Sequence, residues 1–244
     1  MPDPVASPGP APLHIGIVAC SAEGAALCYR TICAEAAALL GPHAHPEVSM
    51  HTPSLSRYME RIHAGDWHGV GDLMLESAGR LARIGADFLI CPDNTIHQAL
   101  AHVLPRSPLP WLHIAETVAA EAQARGLRRL GLMGTKWLVA SDVYPQALGA
   151  RGLEFVRPEA AACETMNRLI MDELVMGVLR AQTAAWFQGL ARDLGAQGCD
   201  GVVLGCTEIP LILDDATSPL PTLDSTRLLA RAALRRAVGS WENA

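Results

Sequence analysis

The chain has 244 residues, of which 50% are hydrophobic and 18% are charged, and its formal net charge is −6. This length can form one large domain or two small ones with real cores. The acidic balance and the lack of a Lys or Arg block argue against a nucleic-acid surface, and no apolar run is long enough to span a membrane.

The N-terminus and the cysteines point to an intracellular protein without disulfides. Residues 1–12 read MPDPVASPGPAP, which is Pro-rich and lacks the basic start and apolar core of a signal peptide, so we predict a disordered tail there. The seven cysteines are odd in number and include no C-x-x-C pair. This pattern argues against a disulfide framework and a zinc site, and a reducing cytoplasm fits it best.

Short apolar runs alternate with longer Ala- and Leu-rich segments along the chain. In chain order these are LHIGIVA and EGAALCYRTICAEAAALL, GDLMLESAGRLARIG and ADFLIC, RRLGLMG and SDVYPQALGARG, and TAAWFQGLARDLGAQG and DGVVLG. Uninterrupted apolar strands between amphipathic helices predict an α/β fold with mainly parallel sheets covered on both faces.

The chain also contains an internal repeat. Aligning GADFLICPDNT with GCDGVVLGCTE superposes a glycine, an aspartate and an apolar run, and it places Asp93 over Cys206. A second pair, IGIVAC and LGLMGT, matches at nearly the same offset, with Gly16 over Gly131. Two motifs that agree on one offset indicate a duplicated α/β unit.

The repeat predicts two similar, pseudo-symmetric α/β domains. We place the first half at residues 13–115 and the second at 116–222, with a closing helix within 223–240 that packs back on the first half. Ligands of open α/β sheets bind beyond the carboxyl ends of the strands. Asp93 and Cys206 would then face each other across a cleft between the domains, although polar residues at strand ends can also be simple loop starts.

One ionisable group on each side of a small molecule suits proton removal from one face and proton delivery to the other. This is two-base racemisation or epimerisation, a form of general acid–base catalysis. The sequence shows no dinucleotide fingerprint, no phosphate-binding loop and no evident metal set, so we expect no cofactor and no metal. Side chains alone would do the chemistry, and a thiolate is a suitable base.

Four segments of the chain resemble the aspartate/glutamate racemase family, over about residues 13–238. They are HIGIVAC, GADFLICPDNTIH, GCTEIPLIL and PTLDSTRLLA. The resemblance implies a two-domain α/β fold and inversion at the Cα of aspartate or glutamate by two facing cysteines, without pyridoxal phosphate. Because dimers are common in the family, it also implies a homodimer.

The chain departs from the family pattern at one position. Cys206 stands where the second catalytic thiol belongs, whereas Asp93 replaces the Cys that commonly precedes the Asn-Thr pair. An ordinary Asp is a weaker base than an ordinary Cys by roughly 4.6 pKa units, or about 6 kcal/mol. Burial can raise an Asp pKa by roughly 3–5 units, so an enclosed Asp93 can still work as a base. Cys91 shares the strand face but should lie one layer deeper, in the core.

The resemblance also implies residues that bind the substrate. We carry over Asn94, Thr95 and Thr207 as contacts of the substrate's carboxylate or amine, with helix capping as the alternative for each. Ser21 follows the first strand and is equally suited to contact a ligand or to cap a helix.

Two further residues complete the predicted site. Arg57 is a candidate for binding the distal carboxylate of an acidic substrate, because an Arg fork grips a carboxylate with two hydrogen bonds. A solvated surface Arg is the alternative. Glu208, directly after the Cys-Thr pair, can tune the electrostatics of the cleft.

Three other functions stay open on the sequence. The chain can be a hydantoin-type racemase, or a lyase in which Cys206 alone protonates a decarboxylated intermediate, as in the arylmalonate decarboxylases. It can also be a protein that binds acidic amino acids without turning them over. A thiol hydrolase needs a base beside the nucleophile, and the sequence shows no Cys-His arrangement of that kind.

Overall fold

The computed structural model describes residues 11–239, so the tail predicted over residues 1–12 lies almost entirely outside the described residues. The strands are β1 (Ile15–Val18), β2 (Val48–His51), β3 (Phe88–Ile90), β4 (Trp111–Leu112), β5 (Arg129–Met133), β6 (Glu154–Val156), β7 (Gly201–Leu204) and β8 (Thr222–Asp224). The α-helices are α1 (Ala22–Leu40), α2 (Leu55–His63), α3 (Trp67–Arg83), α4 (Leu100–Val103), α5 (Ile114–Ala124), α6 (Lys136–Ala140), α7 (Val143–Gly149), α8 (Ala160–Asp172), α9 (Ala181–Ala196) and α10 (Ser225–Ala237).

The strands form two four-stranded sheets with the same topology. The first has the order β2-β1-β3-β4 and the second the order β6-β5-β7-β8. Every strand pairing in both sheets is parallel. The predicted α/β class, with two similar halves and parallel sheets, is confirmed.

The repeated Gly-x-Asp motif has the same local structure in both halves. Gly85 and Gly198 have φ angles of +92° and +87°, in the left-handed region that glycine adopts without a Cβ clash, and each ends the helix that leads into β3 or β7. Asp87 accepts a hydrogen bond from the backbone N–H just before β1, at 2.7 Å. Asp200 accepts one from the first backbone N–H of β5, at 3.0 Å. The carboxylates thus tie the neighbouring strands together at their starts.

Helices cover both faces of each sheet. In the first sheet, Ile15, Ile17, Phe88 and Ile90 pack with residues of α1 and α10, whereas the alternate positions pack with α2 and α3. In the second sheet, one face packs with α5 and α7 and the other with α8 and α9. Alternation of buried side chains to opposite faces is what a parallel strand covered by helices requires.

The last helix crosses from the second half to the first. Helix α10 follows β8 of the second sheet, yet Leu229 and Ala233 belong to the core of the first sheet. Arg231 of α10 makes a two-pronged contact with Glu35 of α1, with Nε–Oε2 and Nη2–Oε1 distances of 2.8 Å each. Over residues 11–239, no helix has the combination of length and apolarity that crossing a bilayer requires.

Candidate active site

A cavity lies between the two halves, where β1, β3, β5 and β7 end. The volume of this cavity is about 60 Å³. The lining residues are Cys20, Ser21, Leu55, Met59, Ile62, Asp93, Asn94, Thr95, Thr135, Trp137, Ile170, Met171, Val175, Gly205, Cys206, Thr207 and Glu208.

Asp93 and Cys206 both line this cavity. Asp93 follows β3 of the first sheet and Cys206 follows β7 of the second, at equivalent places in the two sheets. Asp93 keeps part of its surface open to the cavity, and Cys206 is 8% exposed. The structure therefore brings the two residues of the internal repeat to one small cavity.

The environment of Asp93 makes it a stronger base than an ordinary aspartate. Burial raises the pKa of Asp93 to about 6, and the negative charge of Glu208 adds to the rise. Hydrogen bonds to the carboxylate from the backbone N–H of Ile96 and from the Cys20 thiol lower the pKa in part. The carboxylate is therefore ionised at neutral pH, with a proton affinity well above that of a solvated Asp.

Cys206 is held by a buried carboxylate. Its Sγ donates a hydrogen bond to Glu208 Oε2 at 2.9 Å, and Glu208 is 3% exposed. Burial and the charge of Glu208 raise the pKa of Cys206 well above its usual value. At neutral pH the thiol is therefore protonated, and it can act as an acid toward a bound molecule.

Two further thiols of the first half lie near Asp93, and only one of them lines the cavity. Cys91 is 0% exposed and packs in the core, as predicted, with its Sγ 3.8 Å from the backbone oxygen of Asp93. Cys20, which follows β1 in the chain, lines the cavity, and its thiol lowers the pKa of Asp93 in part. The sequence carried no signal for this role of Cys20, because it depends on two loops that are distant in sequence.

Two hydroxyl pairs bridge the halves beside the cavity. Ser21 Oγ and Thr207 Oγ1 lie 3.3 Å apart, and Thr95 Oγ1 and Thr135 Oγ1 lie 2.9 Å apart. Ser21 and Thr135 also cap α1 and α6 by accepting a backbone N–H. Each pair thus joins a helix cap of one half to a threonine of the other, and hydroxyls can donate or accept toward a ligand.

Asn94 lines the cavity, but its side chain is held by the protein. Its Oδ1 accepts a hydrogen bond from the Tyr144 hydroxyl at 2.7 Å, and its Nδ2 donates one to Ser225 Oγ at 2.9 Å. Both partners follow the first half in the chain, so Asn94 links the halves. His97 braces the same loop, because its Nδ1 lies 2.8 Å from the backbone oxygen of Asp93.

The structure does not bring Arg57 to the cavity. Its Nη2 donates a hydrogen bond to Glu76 Oε2 at 3.0 Å, and its side chain is half exposed. The face of α2 that meets the cavity carries Leu55, Met59 and Ile62 instead. The sequence motif could not assign a helix face to Arg57, because the bounds of α2 were not evident.

An apolar wall is the other feature that sequence reasoning missed. It comes from α2, from α6 and from the segment around α8, none of which carries a recognisable motif. Within residues 11–239, no group of three or more His, Cys, Asp or Glu side chains is arranged to hold a metal ion.

Comparison with known proteins places the chain among racemases. The family model described as Asp/Glu/Hydantoin racemase matches residues 15–233. The broad specificity amino-acid racemase RacX of Bacillus subtilis (strain 168) is 26% identical over 161 residues, which is 66% of this chain and 69% of that protein. The glutamate racemase of Aquifex aeolicus (strain VF5) is 25% identical over 162 residues, which is 64% of this chain and 61% of that protein.

The fold is shared over a larger part of the chain. The crystal structure of an aspartate racemase homologue from Pyrococcus horikoshii OT3 superposes with a TM-score of 0.80 and 27% identity, covering 92% of this chain and 99% of that one. The family model spans nearly all of the described residues. The chain belongs to the Asp/Glu/hydantoin racemase family.

Proposed function

We propose that this chain is an amino-acid racemase in which Asp93 and Cys206 transfer protons at the two faces of the substrate Cα. The observation that carries the proposal is that both residues follow equivalent strands of the two halves and line one cavity. The raised pKa values leave Asp93 ionised and Cys206 protonated near neutral pH. The resting site therefore holds one base and one acid, as two-base inversion requires.

The proton transfers balance in both directions. Asp93 takes the α-proton from one face while the Cys206 thiol delivers its proton to the other, leaving a protonated Asp93 and a Cys206 thiolate. The opposite enantiomer is converted by the reverse steps. Because racemisation of a free amino acid has an equilibrium constant of one, kcat/KM must be equal for the two enantiomers. We therefore expect the unequal pKa values of the two groups to give different kcat values and different KM values for the two enantiomers, with the same ratio of kcat to KM.

The hydroxyl pairs are suited to hold the substrate's charged groups. Ser21, Thr95, Thr135 and Thr207 offer hydroxyls that can turn from each other toward a carboxylate or an ammonium. Aspartate and glutamate are the substrates that the family resemblance implies. Since one relative is named a broad specificity amino-acid racemase, acidic and apolar amino acids both belong in the test.

Proton NMR in deuterium oxide tests the proposal directly. The protein is incubated with L- and D-forms of acidic and apolar amino acids, and the Hα signal should disappear while the opposite enantiomer appears by chiral chromatography. Cys91→Ala is the matched control, because Cys91 is buried in the core and is not among the cavity-lining residues. No exchange with any member of the panel would overturn the proposal. Release of carbon dioxide from a malonate substrate would instead identify a decarboxylase.

Removing the charge of Glu208 should shift the pH dependence of the reaction to lower pH. The charge of Glu208 raises the pKa of Asp93, so Glu208→Gln should lower that pKa and favour the ionised base. The acid limb of kcat/KM against pH, expected at about pH 6 in wild type, should move down, since this limb reports the free enzyme. Glu208→Asp keeps a charge and should hold the limb nearer its wild-type position. An unmoved limb in Glu208→Gln would contradict the role given to Glu208.

A further inference from the structure

The cavity has a polar end and an apolar wall. The polar end carries Asp93, Cys206 and the bridging hydroxyls. The wall is made by side chains from both halves, namely Leu55, Met59, Ile62, Trp137, Ile170, Met171 and Val175. A molecule whose Cα lies between Asp93 and Cys206 would direct one of its substituents toward this wall.

The part of the apolar wall that the first half contributes is one continuous face of helix α2. Leu55, Met59 and Ile62 are spaced at i, i+4 and i+7 along α2 and therefore share one helix face. Met171 of α8 stands on the opposite half, so each half supplies a methionine. Methionine side chains adapt to apolar ligands of different shape.

The charges around the cavity disfavour an acidic side chain. Among residues 11–239, no Lys, Arg or His lines the cavity, whereas Asp93 and Glu208 do. Arg57 is paired with Glu76, and Lys136 is exposed, with its Nζ 5.5 Å from the centre of the Trp137 ring. A substrate carboxylate against the wall would be buried near two carboxyl groups without a lining cation, which is costly.

The available space limits the size of the substituent. The cavity volume is about 60 Å³, and part of this room is taken by the substrate's Cα, carboxylate and ammonium. The remainder suits a short aliphatic chain.

We propose, on the basis of the racemase function above, that the substrate is an amino acid with an uncharged aliphatic side chain, of the size of valine, leucine or methionine. The apolar wall selects this side chain, and aspartate and glutamate are poor substrates. Burial of an aliphatic side chain on such a wall is favourable because apolar surface leaves water.

Relative rates test the selectivity. The kcat/KM for racemisation of leucine, methionine and valine should exceed that for aspartate and glutamate by at least roughly ten-fold, the size of effect that one or two buried methylene groups produce. Equal rates, or faster turnover of aspartate or glutamate, would overturn the inference and leave the racemase proposal standing.

A pair of Met→Lys variants tests the wall itself. Met171→Lys places a cation in the wall and should lower kcat/KM for leucine by at least roughly ten-fold, while it raises the ratio of glutamate to leucine turnover. Met176→Lys is the matched control, because Met176 is 71% exposed and is not among the cavity-lining residues. An unchanged preference in Met171→Lys would contradict the assignment of the wall.

Binding without turnover separates this inference from the racemase proposal. α-Methyl-leucine and α-methyl-aspartate have no α-proton, so calorimetric titration measures their binding alone. Tighter binding of α-methyl-leucine supports the inference even if the protein exchanges no Hα. In that case only the proposed racemase reaction would be overturned. Tighter binding of α-methyl-aspartate, or binding of neither compound, would overturn it.

Discussion

Replacing Asp93 with asparagine should abolish racemisation and, at the same time, stabilise the folded protein. Asparagine cannot accept the α-proton, so kcat/KM should fall by at least roughly 1000-fold, toward the upper range for loss of a general base. The pKa of Asp93 is raised from its usual value of 3.8 to about 6 in the folded chain. A rise of about two units corresponds to about 3 kcal/mol, an upper value because part of Asp93 faces the cavity.

The direction of the stability change follows from the two pKa values. Below about pH 3, Asp93 is protonated in the folded and unfolded chains, and its burial costs nothing in ionisation. As pH rises from about 4 to 6, the unfolded chain releases the proton first, so the wild-type protein loses stability over this range. Asparagine resembles the protonated acid and avoids this loss. Asp93→Asn should therefore exceed wild type in free energy of unfolding by up to about 3 kcal/mol near pH 7.5, and by about half of that near pH 5.

Thermal unfolding at two pH values measures this effect. The melting temperature of Asp93→Asn should lie up to roughly 6–12 °C above wild type near pH 7.5, with a smaller difference near pH 5. Asp87→Asn is the matched control, because the Asp87 carboxylate accepts a backbone N–H at the start of β1 and its replacement should not stabilise the protein. A variant that is less stable than wild type near pH 7.5 would contradict the raised pKa. Full racemase activity in Asp93→Asn would show that the first base lies elsewhere.

Replacing Cys206 with alanine should separate proton exchange from inversion. The variant lacks the Cys206 thiol, which is the acid supplied by the second half, so kcat/KM for racemisation should fall by at least roughly 1000-fold. Asp93 can still remove the α-proton of one enantiomer and return a solvent deuteron to the same face. Slow Hα exchange with retained configuration is therefore expected for one enantiomer alone.

Enantiomer-resolved exchange in deuterium oxide measures this asymmetry. The L- and D-forms of the best substrate are incubated separately with Cys206→Ala, and deuterium content and configuration are both recorded. Cys199→Ala removes another buried thiol of the same half that does not line the cavity, and it should behave as wild type. Equal exchange of both enantiomers by Cys206→Ala would contradict the assignment of one group to each face.

The sequence predicted the parts of this protein that repeat. The alignment of GADFLICPDNT with GCDGVVLGCTE works because the same contacts recur, from the helix-ending glycines to the aspartates that hold β1 and β5. Since parallel strands end on one side of a sheet, the alignment also predicted that Asp93 and Cys206 would lie at strand ends. A residue at a strand end between two domains is buried, and the sequence analysis expected this burial to raise the pKa of Asp93.

The features that the sequence did not predict depend on contacts between segments that are distant in sequence. The Cys20 thiol meets Asp93 only after β1 and β3 pair, and Asn94 is engaged by Tyr144 from the other half. Arg57 was placed near the substrate because its residue type suits a carboxylate, yet its helix turns it toward Glu76. The homodimer and the cytoplasmic location stay predictions.

The position of helix α10 affects the order in which the two halves of the protein fold during synthesis. Phe88 and Ile90 of the first sheet pack with Leu229 and Ala233, and the Arg236 guanidinium lies 4.7 Å from the centre of the Phe88 ring. A nascent chain that has completed β1 to β4 still lacks this cover until helix α10 emerges from the ribosome. The first half therefore matures only after the second half and α10 have been made, and products truncated before residue 225 expose an apolar sheet face that favours aggregation.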